Sequence, residues 1–137
     1  MDKRRVVITG LGAVTPFGVG VEKFWESLKA GKSGISTSES IDISKHVVKI
    51  SGEVKDIHPE EYMEPKAAKK MDRFIQFAMV AADEAIKDSK LDVEKEDPYR
   101  VGVIVSSAAG GFKTFEENHI RIIEKGPNKC SPFTVPM

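Results

Sequence analysis

Residues 100–108, RVGVIVSSA, carry apolar side chains with little alternation between the two faces of a strand. A strand apolar on both faces must be covered on both, as in a parallel sheet held between helical layers. Two more β-rich runs occur, at 4–9 (RRVVIT) and 46–54 (HVVKISGEV). Helical patterns at 21–34, 66–87 and 110–126 alternate with them, so the expected fold class is α/β. Three strands are fewer than an ordinary sheet holds, and these demand neighbours that the chain does not supply. The 137 residues are therefore expected to be an incomplete folding unit, either a fragment of a longer protein or its ordered part.

In the first helical pattern Val21, Phe24 and Leu28 share a face, and Gly31 and Gly34 supply the stop. Across 66–87 the residues Met71, Phe74, Ile75, Ala78, Met79, Ala82 and Ala85 recur at three- and four-residue steps, which predicts one long helix. Lys66, Lys69, Lys70 and Arg73 fall on its opposite side. Cations at a helix N-terminus oppose the macrodipole, at a cost of a few tenths of a kcal/mol or so each. On spacing alone this is either a solvated lysine face or a landing surface for an anionic partner. In the last helix Phe112, Phe115, His119, Ile122 and Ile123 share a spacing that puts His119 on the packed side. HPEEYM is expected to be a short helical turn with Pro59 near its start. The stretches 36–45, 89–100 and 127–137 read as turns or loops.

Lys plus Arg and Asp plus Glu both total 21, so no global field draws the chain to nucleic acid or anionic lipid. Met1–Arg5 is basic, but the apolar run after it is short and contains Thr9, Gly10 and Gly12, as a strand and turn do. No stretch is long enough to span a membrane, and the expected location is the cytoplasm. The lone Cys130 excludes an intrachain disulfide; in NKCSPF it lacks the small-residue elbow of a nucleophile and reads as a small apolar filler. His46 and His58 have no partners at metal-ligand spacing, and no zinc or calcium pattern occurs.

The stretch VVITGLGAVTPFG, residues 6–18, has the outline of a dinucleotide loop. Gly10 and Gly12 fit, but the third glycine position is Thr15, and Pro16, Gly18 and Gly20 delay the helix to about Val21. A strand followed by a glycine-rich turn is the expected reading. The stretch resembles instead the opening of the β-ketoacyl-acyl carrier protein synthases. AGKSGI, KKMDRFIQFAMVAADEAIKDS, RVGVIVSSAAGG, EENH and GPNKCSPFTVPM extend the resemblance along the whole chain, closest to the elongating type II (KAS II) branch.

The resemblance implies a thiolase-like α-β-α-β-α layered fold, with residues 1–137 as the N-terminal part of its first half, and a homodimer. It implies a 3-oxoacyl-[acyl-carrier-protein] synthase of fatty acid elongation. In that reaction an acyl chain passes from its carrier to a cysteine thiolate, malonyl carrier protein loses carbon dioxide, and the carbanion displaces the thiolate from the acyl group. The family's nucleophile and its histidines fall after Met137, so no catalytic residue and no cofactor is expected in this chain. The implied roles here are docking of acyl- and malonyl-loaded acyl carrier protein by Lys66, Lys69, Lys70 and Lys129, and lining of the acyl pocket by Ala109, Phe133 and Thr134. Ala109 stands where the family often carries a bulkier gate residue. Asn128 stands where a second basic residue often accompanies the one at Lys129. A polyketide ketosynthase, an inactive chain-length factor and a non-catalytic carrier-binding fragment are the alternatives.

Overall fold

The computed structural model describes residues 4–134. A short antiparallel pair, β1 (Val14–Thr15) and β2 (Gly18–Val19), matches Val14 with Val19 around Pro16–Phe17. The Thr15 hydroxyl organises this turn, accepting from the Phe17 amide at 3.2 Å and donating to the Gly18 carbonyl at 3.3 Å. Helix α1 (Val21–Lys29) follows, ending as Gly31 turns with φ +65°. A second antiparallel pair joins β3 (Ser36–Thr37) to β4 (Ile50–Ser51). Then come a 3₁₀ turn at Pro59–Glu61, the single-turn helix α2 (Pro65–Ala68), α3 (Arg73–Ser89), a 3₁₀ turn at Pro98–Arg100, and α4 (Phe112–Lys125). Gly126, with φ +88°, closes α4 ahead of a 3₁₀ turn at Pro127–Lys129.

The chain forms two compact units. One holds the residues up to Ile57 together with Val80–Asp92; the other holds His58–Met79 and the residues from Val93 on.

None of the three expected strands forms as a full ladder. Residues 4–9 and 100–108 make no strand pairing, and of 46–54 only Ile50–Ser51 pairs. The apolar side chains of these runs face outward: Val6 is 89% and Ile104 96% exposed. A strand exists through its partners, and among the described residues the runs 4–9 and 100–108 have none.

The long helix expected over 66–87 is broken. α2 stops at Ala68, two tight turns (Lys70 amide to Ala67 carbonyl, Met71 amide to Ala68 carbonyl) intervene, and α3 starts at Arg73. The Gln76 side-chain amide holds the break open by donating to the Ala68 carbonyl at 2.9 Å and the Met71 carbonyl at 3.3 Å. The buried side of α3 also differs from the apolar stripe. Met79 and Ala82 are exposed, while Val80, on the opposite side of the helix, is fully buried.

Helix α4 departs from its pattern too. Phe112, Phe115, His119 and Ile123 are exposed, and the buried position is Asn118, at 7%. The reason is polar: Thr114 and Asn118 make the helix's hydrogen bonds to other segments, and those bonds decide which face turns inward.

Candidate functional site

The glycine-rich turn is built against α3. Ala81, Ala85 and Ser89, at four-residue steps, form a groove of small side chains. A methyl on Gly12 would collide with the Ala81 carbonyl, and one on Gly10 with the Ala85 carbonyl and the Ser89 amide nitrogen. The glycines therefore let backbone lie on a helix. The amides of the turn are already taken by carboxylates from that helix. Glu84 accepts from the Ala13 amide through Oε2 and from the Val21 amide through Oε1, both at 2.8 Å, and Asp88 accepts from Leu11 at 2.9 Å. Glu84 thus caps α1, whose own N-cap, Gly20, has no side chain to do so. An incoming phosphate would meet two negative charges. Glu84 and Asp88 were not legible in the glycine motif; the Ala81, Ala85, Ser89 spacing was the available sign of a close-packed partner.

The basic cluster lies at the break between α2 and α3. Lys66 belongs to α2, Lys69 is its C-cap, Lys70 follows, and Arg73 opens α3. The expected placement at a helix N-terminus is overturned for Lys69 and Lys70, which lie at and past the end of α2; Lys66, the second residue of α2, and Arg73, the first of α3, keep it. All three lysines are exposed. Glu64, Lys66, Ala67, Lys70, Met71 and Ile75 line an open hollow of about 460 Å³; Glu64, Lys66 and Lys70 are exposed and Ala67, Met71 and Ile75 half-buried. The Lys70 ammonium lies 5.7 Å from the centre of the Phe133 ring, a cation–π distance. The cluster and the 130–134 segment therefore meet. Lys69 and Lys129 lie outside the hollow's lining, Lys129 at the end of the turn after α4.

Ala109 is exposed in the loop entering α4. There the Gly110 amide donates to the Ser107 hydroxyl at 3.0 Å, and Gly110 adopts φ +62°. Thr134 folds back on Ser131, its hydroxyl donating to the Ser131 carbonyl at 2.7 Å. Cys130 is exposed rather than packed as a filler; its thiol lies 3.6 Å from the Thr134 hydroxyl. His119 lies on the open face of α4, stacked on Phe115 at 6.3 Å. Val135–Met137, the end of the SPFTVPM block, fall outside the described residues.

One carboxylate outside these clusters is strongly perturbed. Glu53 Oε1 accepts from the hydroxyls of Ser38 (2.5 Å), Ser40 (2.7 Å) and Ser51 (3.1 Å), and the amides of Glu39 and Ser40 also bond it at 3.1 Å. The Ser38 hydroxyl first, then Ser40, hold its carboxyl far below the usual range. These bonds fold the 36–40 segment around Glu53. Among the described residues no group of three or more His, Cys, Asp or Glu side chains gathers as a metal site would require.

The chain is 44% identical over 136 residues to a 3-oxoacyl-[acyl-carrier-protein] synthase 2 of Staphylococcus aureus, and 46% identical over 136 residues to that of Vibrio cholerae. Each alignment takes in 99% of this chain and 33% of the relative, so the chain spans about a third of the length of the curated relatives it matches. Among solved structures it resembles the ishigamide ketosynthase/chain length factor, with a TM-score of 0.81 and 26% identity over 98% of this chain and 34% of the other. It also resembles the structure of a type II PKS acyl-carrier protein in complex with its ketosynthase bound to the hexaketide, with a TM-score of 0.78 and 26% identity over 97% of this chain and 34% of that one. The backbone therefore follows the N-terminal part of the layered α/β, thiolase-like ketosynthase fold. Residues 3–137 match the family described as "Beta-ketoacyl synthase, N-terminal domain", and with that match over nearly its whole length the chain belongs to the β-ketoacyl synthase family.

Proposed function

We propose that the complete protein is a 3-oxoacyl-[acyl-carrier-protein] synthase of fatty acid elongation, an acyltransferase, and that residues 1–137 form the N-terminal part of the first half of its thiolase-like domain. In this reading the chain supplies scaffold, carrier docking and acyl-pocket lining, and the reacting thiol comes from the rest of the polypeptide. The observation that carries the docking role is the hollow rimmed by Lys66, Lys70 and Glu64, two cations to one acid, over Ala67, Met71 and Ile75. An acidic carrier protein is complementary to it: the rim steers the encounter, and the residues beneath accept an apolar side chain. Lys69 and Lys129 extend the basic surface, and Ala109, Phe133 and Thr134 line the route of the acyl chain. The protein works in the cytoplasm as a homodimer. The exposed Phe112, Phe115 and Ile123 of α4 support an interface of that kind.

The test is kinetic, in the complete enzyme. Lys69→Glu with Lys70→Glu raises KM for the carrier-borne substrate at least about tenfold at low ionic strength, and the difference shrinks as salt is added. Equal KM values at low salt overturn the docking role. A second reading, a polyketide ketosynthase or its chain-length factor, is supported by the two solved structures described above. The higher identity to the fatty acid synthases favours the first reading. Condensation of a saturated acyl carrier substrate with malonyl carrier protein by the complete protein separates the two.

A further inference from the structure

Helix α4 buries an asparagine while four of its large apolar side chains, Phe112, Phe115, Ile120 and Ile123, stay exposed. Asn118 makes two bonds of opposite polarity: Nδ2 donates to the Thr114 carbonyl at 2.8 Å, and Oδ1 accepts from the Ser131 amide at 3.2 Å. Thr114 in turn donates its hydroxyl to the Asp72 carboxylate. The Asp72 carbonyl accepts from the amides of Ile75 and Gln76, so Asp72 sits where α3 begins. On the other side Ser131 organises a tight turn. Its hydroxyl accepts from the Phe133 amide at 3.2 Å, and its carbonyl accepts from the Thr134 amide and hydroxyl. Phe133 then places its ring beneath the ammonium of Lys70, two residues before Asp72. The contacts close a ring: Asp72, Thr114, Asn118, Ser131, Phe133, Lys70.

We infer that Asn118 is a positioning residue for carrier docking, fixing the Ser131 turn so that Phe133 carries Lys70 at the rim of the basic hollow. This rests on the docking role proposed above. Asn118 is buried and touches no incoming partner; it acts through Ser131 and Phe133. Loss of its Oδ1 leaves the Ser131 amide without its acceptor and frees the turn that presents the ring. The exposed Lys70 side chain then has more conformers to lose when a carrier binds, and affinity falls although no docking charge is removed.

The experiment uses the complete enzyme, with acyl carrier protein substrates and with a small carrier-free thioester of the same acyl group. Asn118→Ala is expected to raise KM for the carrier substrate about fivefold, the factor a single ordinary hydrogen bond is worth, with kcat and the carrier-free reaction unchanged within about twofold. Ser131→Gly, which removes the hydroxyl that accepts from the Phe133 amide, is expected to raise carrier KM similarly, and the double variant to do no more than either alone. Equal losses on both substrates, or additive effects, overturn the inference, because a merely structural asparagine gives those results. Should Asn118→Ala fail to fold, Ser131→Gly still decides: an unchanged carrier KM, or an equal loss on the carrier-free thioester, overturns the inference. Lys70→Glu is the reference. If it raises KM while Asn118→Ala does not, this inference alone fails; if it has no effect, the docking role itself fails.

Discussion

A methyl group at Gly12 has nowhere to go, because the Ala81 carbonyl of α3 occupies the place it would take. Gly12→Ala is therefore expected to cost about 3 kcal/mol or more, since neither backbone can yield without parting from the other. Urea unfolding of the complete protein measures it. The sequence makes Gly10 and Gly12 conspicuous, yet their reason is not local. It lies about seventy residues further on, in a helix whose small side chains admit a crossing stretch of backbone. Glu84 is hidden for the same reason: nothing near it in sequence says that its carboxylate will serve the amides of Ala13 and Val21. The lysines are the opposite case. Lys66 and Lys70 are legible as a cluster without any fold, because charge spacing on a short segment survives a change in the helix that carries it.

At the scale of elements, helical periodicity located α1, α3 and α4 but not the break after α2. Residues 66–87 contain neither Gly nor Pro, so propensity runs through unbroken, and the break depends on tertiary partners: Gln76 on the Ala68 and Met71 carbonyls, and Thr114 on Asp72. Strand periodicity failed for a different reason, since a ladder requires partners that the described residues do not provide. The 36–40 segment, expected only as a turn, owes its shape to Glu53. A carboxyl held below its usual range stabilises the fold fully above its unfolded pKa, near 4.3. That contribution is lost as pH falls from there through the lower folded value. Glu53→Gln should therefore lower the melting temperature of the complete protein at pH 7, with the gap from wild type narrowing steadily below about pH 4. A gap constant down to pH 3 would assign the loss to packing rather than to the carboxylate.

For the whole molecule, the order of the motifs identified the family where periodicity alone reached only α/β, because short blocks in fixed order carry information that no single element does. Apolar surface that this chain leaves open must be covered in the complete protein. The outward stripe of α4 is the place to test it. Phe115, 64% exposed, should tolerate a charge if it faces water and reject one if a second subunit lies on it. In the homodimer proposed above, Phe115→Asp is expected to give monomer by sedimentation; an unchanged dimer places the subunit contact elsewhere, and a wild-type monomer overturns the homodimer. The carboxylates of Glu84 and Asp88 reach further than the turn they close. A cell is crowded with NAD, NADP and ATP, and a chain that opens on a strand and paired glycines looks made for them. With Glu84 and Asp88 holding the amides of Leu11, Ala13 and Val21, this loop offers a phosphate repulsion where a dinucleotide fold offers donors.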